Sequence, residues 1–252
     1  RLPTRGHRAH VGERGHPEHA SRRELWTFHL GSGSLCLDFA NTTSWQGSQA
    51  SVHHLPDLLA GAEQPVIMAG SGVYWDDAAA DLEAFAKAAG VPVFMNGAGR
   101  GCLPTRHPLA FSQARGFALG QADFVLVLGT PLDFRLGYRR PPSFADHARV
   151  VMVDCDPVEL GRNRPLELGL ASHIGLTLRA ATSAMAKGVG ARFDSWREAV
   201  AKKEAESQDR LMAERVSDSV PISHYRLGHE LAAMVDEHTT VVEELVVRAY
   251  GG

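Results

Sequence analysis

Short and almost uniformly apolar runs recur between residues 65 and 154, and they constrain the fold of this chain more than any other feature. Segments with helical spacing of apolar residues lie between them, at Asp76–Ala89 and Leu109–Gly120. Runs that are apolar on both faces and alternate with helices predict an α/β fold with a doubly wound, mostly parallel sheet. The predicted strands are Pro65–Ala69, Val91–Met95, Phe124–Gly129 and Arg149–Asp154.

The residues that follow these strands are the candidates for function. Right-handed crossovers bring the carboxyl ends of parallel strands to one edge of the sheet, and ligands of such sheets bind there. We therefore expect a single binding site at that edge. It would be formed by Gly70–Gly72, Asn96–Gly101, Gly129–Arg135 and Asp154–Asp156.

Gly70, Ser71 and Gly72 lie between a strand and a helix, where glycine lets a phosphate approach backbone amides. A tight strand–helix turn explains the same residues equally well. The dinucleotide fingerprint would also need glycine where Trp75 stands and an acid where Asn96 stands. The sequence therefore disfavours ordinary NAD binding and leaves two alternatives, a nucleotide-like ligand or a simple turn.

Two further strand ends carry glycine and charged residues. Asn96 and Gly97 open a glycine-rich loop that suits a phosphate or a flat ring, or is simply a flexible connection. After Gly129, Asp133 could accept a hydrogen bond from a ribose hydroxyl and Arg135 could pair with a phosphate. The alternative is that this acid and this arginine pair with each other or with solvent.

Asp154 and Asp156 end the last predicted strand on either side of Cys155. An acid at this position typically accepts hydrogen bonds from ribose hydroxyls. Asp156 also precedes Pro157, which is the pattern of a helix N-cap followed by proline. Both roles remain open for Asp156.

Composition excludes several classes of partner. The net charge is −3, so no basic field favours nucleic acid. The apolar runs are far shorter than the roughly 20 residues of a membrane helix. Cys36, Cys102 and Cys155 contain no C-x-x-C pair, which argues against zinc and a disulfide framework and predicts a cytoplasmic protein. We find no motif for a catalytic nucleophile or a metal.

Changes in residue composition and in the spacing of apolar residues divide the chain into four predicted parts. Residues 1–23 predict a disordered tail, since they hold few large apolar side chains. Residues 24–60 form an extension of uncertain fold, and residues 61–188 the α/β domain. Residues 189–252 predict a charged helical connector and the start of another domain.

Four segments resemble the thiamine-diphosphate-dependent enzymes of the acetolactate synthase type, in their central domain. The segments are PVIMAGSGVYW, GVPVFMNGAGRGCLP, ADFVLVLGTPLDFRLGY and VVMVDCDPVELGRNR. A fifth, PISHYRLGHELAAMVDEHTTVV, is similar to the entry into the family's pyrophosphate-binding domain. The resemblance implies a Rossmann-like central domain in a protein that decarboxylates a 2-keto acid and ligates the product.

The resemblance also implies cofactors and site residues. Intact members use thiamine diphosphate with Mg²⁺, and their central domain holds FAD in acetolactate synthases or ADP or a CoA nucleotide in oxalyl-CoA decarboxylases. The activating glutamate and the G-D-G motif of the family have no match here, so we expect the chain to be inactive alone. The implied binding positions are Gly70, Gly72, Asn96, Gly97, Asp133, Arg135, Asp154 and Asp156.

The N-terminal part has a second, shorter resemblance. HLGSGSLCLDFANTTSWQGSQASVHHL is similar to the start of bacterial regulators of the CGNR type, although their zinc motif is missing. The alternative function is thus a non-catalytic nucleotide-binding or regulatory protein. The expected partners are a small-molecule nucleotide and either a second copy or the missing domains of the parent enzyme.

Overall fold

The computed structural model describes residues 52–133, 136–137, 141, 143–236 and 238–239. Residues 1–23, most of the predicted extension, Cys36 and Arg135 lie outside the described residues. Within the described part no helix has the length and apolar character needed to cross a membrane.

Six parallel strands form one sheet in the described part of the chain, in the order β3-β2-β1-β4-β5-β6. This confirms the predicted doubly wound α/β fold. The strands are β1 (Pro65–Ala69), β2 (Val93–Met95), β3 (Ala110–Phe111), β4 (Phe124–Leu128), β5 (Arg149–Asp154) and β6 (Leu168–Ala171).

Seven helices are described around this sheet. They are α1 (His54–Ala60), α2 (Ser71–Trp75), α3 (Ala79–Ala89), α4 (Arg115–Gln121), α5 (Ile174–Ala184), α6 (Asp194–Arg215) and α7 (His224–Ala232). Short 3₁₀ turns cover Gly97–Gly99 and Pro157–Glu159.

The structure differs from the sequence prediction at two helices. The segment predicted as one helix over Asp76–Ala89 begins only at Ala79, because Asp77 has a left-handed φ of 51° and separates α2 from α3. The segment predicted as a helix over Leu109–Gly120 begins with β3 instead, since Ala110 pairs with Val93 of β2. In both places a contact distant in sequence overrides the helical spacing.

Alternate residues of the strands supply two cores, one on each face of the sheet. In β4, Leu126 and Leu128 belong to the cluster covered by α3 and α5, and Val125 and Val127 to the cluster covered by α4 and α6. Burying one such side chain stabilises the fold by about 1.5–3 kcal/mol. The apolar character of the strands therefore follows from burial on both faces.

Segments on either side of the predicted α/β domain pack into the same cores. Leu55 and Leu59 of α1 join one cluster, and Trp196 and Val200 of α6 join the other. The indole Nε1 of Trp196 donates to the Pro65 carbonyl at 2.9 Å. The domain divisions at residues 60 and 188 remain predictions, but the packed unit extends beyond both.

Candidate functional site

The strand order reverses between β1 and β4, which are neighbours in the sheet. The chain leaves β1 toward α2 and α3 on one face, and it leaves β4 toward Leu132 and Phe144, which belong to the core of the other face. Divergence of two connections in this way opens a crevice at the carboxyl edge, and ligands of doubly wound sheets bind at such a point. The fold thus indicates where to look for a site.

Three predicted glycines meet at this point. The Gly70 amide donates to the Leu128 carbonyl at 2.8 Å, and the Gly72 amide donates to the Gly129 carbonyl at 2.9 Å. A Cβ atom on Gly70 would lie 2.4 Å from the Gly129 oxygen, and one on Gly72 would lie 2.7 Å from the Gly129 Cα. The two loops therefore touch backbone to backbone, and this packing by itself requires glycine at both positions.

The loop after β2 lies against the turn after β1. The Ala98 amide donates to the hydroxyl of Ser71 at 3.1 Å, and the Asn96 amide nitrogen Nδ2 donates to Thr130 Oγ1 at 3.3 Å. Gly97 has a φ of 54°. Hydrogen bonds thus connect the ends of β1, β2 and β4 along one edge, as the sequence predicted for Ser71, Asn96 and Gly97.

Asp154 ends β5 at the same edge and is only 8% exposed. Its Oδ1 accepts from the Asp156 amide at 2.9 Å. Burial, followed by the charges of Glu159, Asp156 and Asp76, raises the pKa of Asp154, although the hydrogen bond from the Asp156 amide opposes this. The site therefore holds a poorly solvated carboxylate that would gain from a hydroxyl donor.

Asp156 caps the 3₁₀ turn that follows β5. Its Oδ1 accepts from the Val158 amide at 2.9 Å, with Pro157 at the first position of the turn. This is the N-cap geometry that the sequence offered as one of two roles. Asp156 is exposed, and its other possible role, toward a ribose, stays a prediction.

Asp133 and Arg135 follow β4. Asp133 is half-buried, five positions after the end of the strand. Arg135 lies outside the described residues, so its predicted pairing with a phosphate stays a prediction. Nearby, the Asn163 side chain donates to the Leu132 carbonyl at 2.8 Å and anchors this loop to the segment before β6.

Two side chains that sequence reasoning missed also shape the edge. Thr130 is buried and receives the Asn96 bond. The carboxylate of Asp76 accepts from the Ile174 amide and lies 3.0 Å from His173 Nδ1, which joins the end of α2 to the start of α5. No local signal marks these contacts, because the partners are 34 and 98 residues apart.

An exposed aromatic pair adjoins the glycine turn. Trp75 is 76% exposed, and its ring contacts that of Tyr74 edge-on with centroids 5.0 Å apart. Trp75 occupies the position where the dinucleotide fingerprint has its third glycine. It offers a flat apolar surface beside the turn, which is suited to a planar ring.

A cavity of about 530 Å³ lies at the opposite edge of the sheet. It is lined by residues at the start of β5 and before β6, among them Asp146, Arg149 and Glu167. Within the described residues, no group of three His, Cys, Asp or Glu side chains is arranged to hold a metal ion. The cavity lies at the amino ends of the strands, and the experiments proposed below use it as a control region for the site at the carboxyl ends.

The strand order, the glycine turn after β1 and the acid at the end of β5 define a Rossmann-like domain. The family "Thiamine pyrophosphate enzyme, central domain" matches residues 52–181, just over half of the chain. The chain therefore belongs to the thiamine pyrophosphate enzymes, through their central domain.

Curated relatives agree with this family. The chain is 38% identical over 185 residues to the acetolactate synthase large subunit IlvG of Mycobacterium tuberculosis, covering 73% of this chain and 33% of that protein. It is 26% identical over 175 residues to oxalyl-CoA decarboxylase of Escherichia coli, covering 69% and 31%. It is 27% identical over 180 residues to 2-hydroxyacyl-CoA lyase of Arabidopsis thaliana, covering 69% and 31%. The chain thus spans about a third of the length of these relatives.

Proposed function

We propose that this domain binds the adenosine diphosphate moiety shared by ADP, FAD and CoA, as the central domain of an acetolactate synthase-like enzyme. The observation that carries the proposal is that the glycine turn contacts the loop of Thr130 where the strand order reverses, with Asp154 at the end of the neighbouring strand β5. In such sheets this point takes a nucleotide, with the diphosphate near the glycine turn and the ribose near an acid.

Asp154 would orient the nucleotide through its ribose. Among the described residues, its carboxylate accepts from the Asp156 amide, on Oδ1, and Oδ2 would accept from a ribose hydroxyl. A hydrogen bond to a charged group contributes about 1.5–3 kcal/mol. Trp75 is placed to stack against a planar ring, since it is exposed beside the turn.

The names of the relatives support the choice of moiety. Two of the three proteins compared above are named for CoA compounds, and the third is an acetolactate synthase. CoA and FAD both contain adenosine diphosphate. A site for this moiety would therefore serve either branch of the family.

The reaction of an acetolactate synthase-like enzyme that contains this domain is a separate part of the proposal. We infer that it is decarboxylation of a 2-keto acid followed by transfer to an acceptor carbonyl, for which thiamine diphosphate supplies the electron sink. Within the described residues, no group of three His, Cys, Asp or Glu side chains is arranged to hold the Mg²⁺ that accompanies this cofactor. The described residues would supply nucleotide binding and not the chemical step.

Asp154→Asn is the sharpest test of nucleotide binding. Asparagine keeps an acceptor for the Asp156 amide but loses the charge, so we expect ADP to bind about 10–100-fold more weakly. Isothermal titration calorimetry with ADP, FAD and CoA measures the affinities and tells which larger molecule the site prefers. Asp146→Asn, the same charge change at the opposite edge, is expected to leave the affinity unchanged.

Stability separates a binding effect from misfolding in this test. Burial raises the pKa of Asp154 in the folded protein, so its charge costs stability at neutral pH, and the wild type loses stability as pH rises from about 3.9 through the folded value. Asp154→Asn is therefore expected to be at least as stable as the wild type at pH 7. No ADP binding by the wild type, or equal affinities of both proteins, would refute the proposed role.

A further inference from the structure

Three acidic residues follow one another closely where β5 ends, at the position proposed for the ribose. Asp154 ends the strand, and its Oδ1 accepts from the Asp156 amide at 2.9 Å. The Glu159 amide, one turn later, donates to the Asp156 carbonyl at 3.2 Å. Hydrogen bonds thus hold these three acids in one compact turn at the carboxyl edge of the sheet.

A fourth acid, Asp76, reaches the same place from the end of α2. Its Oδ2 accepts from the Ile174 amide at 2.5 Å, and its side chain is only 10% exposed. The Asp154 carbonyl accepts from the Ser172 amide at 3.0 Å. Because one residue separates Ser172 from Ile174, Asp76 and Asp154 are bonded to the same short segment between β6 and α5.

Basic side chains of the described residues neutralise these carboxylates only in part. Arg162 Nη1 pairs with Glu159 Oε1 at 2.6 Å, but Glu159 Oε2 is buried and has no hydrogen-bond partner among the described residues. His173 Nδ1 lies 3.0 Å from Asp76 Oδ1. No ion pair within the described part of the chain includes Asp154. The end of β5 is therefore a region of negative charge.

The pKa of Asp154 responds to the same neighbours. Burial raises this pKa most, and the charges of Glu159, Asp156 and Asp76 raise it further. A negative charge on a bound molecule would meet the same repulsion beside Asp154, which is only 8% exposed. The end of β5 is therefore suited to a ligand group that donates hydrogen bonds, and unsuited to an anionic one.

We infer that this site selects adenine nucleotides with an unphosphorylated ribose, such as ADP and FAD, over CoA, whose ribose carries a 3′-phosphate. The inference rests on the proposed function, in which Asp154 binds the ribose. The 2′ and 3′ oxygens of a ribose are attached to neighbouring carbons, so a phosphate on one lies beside the carboxylate that binds the other. Rossmann domains use an acid for a free ribose hydroxyl and an arginine for a ribose phosphate. Asp154 makes the contact, and Asp156 and Glu159 act through their charge.

Dephospho-CoA and CoA are the matched probes, because they differ only in the 3′-phosphate. Isothermal titration calorimetry of the full 252-residue chain with each compound measures the ratio of their dissociation constants. We expect dephospho-CoA to bind at least about tenfold more tightly, since like charges placed side by side disfavour binding. This ratio should fall as sodium chloride is raised to about 0.5 M, because salt screens the exposed charge of Asp156.

Neutral variants show whether charge or shape causes the selection. Asp156→Asn keeps an acceptor for the Val158 amide, and Glu159→Gln keeps the length of the side chain. The double variant is expected to reduce the ratio to about threefold or less, mainly by binding CoA more tightly. Asp146→Asn, which removes a charge at the opposite edge of the sheet, is expected to keep the ratio of the wild type.

The outcomes separate this inference from the proposed function. Equal affinities of the wild type for CoA and dephospho-CoA, or tighter binding of CoA, overturn the inference and leave nucleotide binding intact. An unchanged ratio in the folded double variant also overturns it, because shape and not charge would then exclude the phosphate. If the double variant does not fold, a ratio in the wild type that is independent of salt has the same meaning. No binding of either compound or of ADP refutes the proposed function and this inference with it.

Discussion

Gly129→Ala is expected to lower the free energy of unfolding by about 2–5 kcal/mol, the sum of a strained left-handed residue and an overpacked contact. Gly129 has a φ of 55°. Its added Cβ would lie 2.5 Å from the Gly72 Cα and 2.7 Å from Ile174 Cδ1. Urea denaturation followed by circular dichroism measures the change.

Gly116→Ala is the matched control for this substitution. Gly116 lies in α4, a Cβ there would meet nothing within 4 Å, and its φ is not positive. Alanine is the better helix former by about 0.5–1 kcal/mol, so this variant is expected to be as stable as the wild type or more so. Equal stability of Gly129→Ala and the wild type would show that the loops after β1 and β4 do not touch.

Glu204→Ala is expected to cost about 2–4 kcal/mol, because it leaves the buried Ala114 amide and the partly buried Ser112 amide and hydroxyl without their acceptor. Glu204 is 8% exposed and is the acceptor for Ser112 and Ala114. Glu204→Gln keeps the shape and one acceptor oxygen, so its loss should be smaller. Urea denaturation at pH 7 ranks the three proteins.

The pH dependence of stability tests the same carboxylate. Burial acts to raise the pKa of Glu204, but hydrogen bonds from the amides of Ala114, Gln113 and Ser112 and from the Ser112 hydroxyl outweigh it and lower the pKa. Its contribution is therefore full above the unfolded value, about 4.3, and is lost as pH falls through the folded value. The wild type should lose more stability than Glu204→Gln between pH 5 and 3. Parallel pH profiles would contradict the role of Glu204.

Burial patterns made most of the sheet predictable from sequence. The run over Phe124–Leu128 is apolar at every position because both faces of β4 are covered. The end of α3 was also predictable from sequence, because Gly90 follows the helix and adopts the left-handed φ of 63° that is common at this position. By contrast, β6 over Leu168–Ala171 contains glycine and has only four residues, which gives no clear strand pattern.

The sequence predicted where in the fold the candidate site lies, but it did not predict the hydrogen bonds between its side chains. Strand ends located Gly70, Asn96 and Asp154 on one edge, because parallel topology alone brings them there. The bond between Asn96 and Thr130 and the Asp76 contacts depend on side-chain directions across distant segments. The spacing of residues along a short segment of sequence does not predict such contacts.

Packing alone explains the glycines at the turn after β1. Gly70 and Gly72 are required by their contact with Gly129, whatever binds there. Their presence therefore does not by itself favour a phosphate. Asp154 carries more weight, since no internal contact of the described residues requires a charged group at its buried position.

Hydrogen–deuterium exchange with and without ADP tests most directly whether the carboxyl edge of the sheet is the nucleotide site. The proposed function predicts slower exchange at residues 70–72, 96–99 and 129–130, with no change around the opposite cavity at residues 146–150 and 163–167. Protection confined to that opposite cavity, or no protection at saturating ADP, would contradict it.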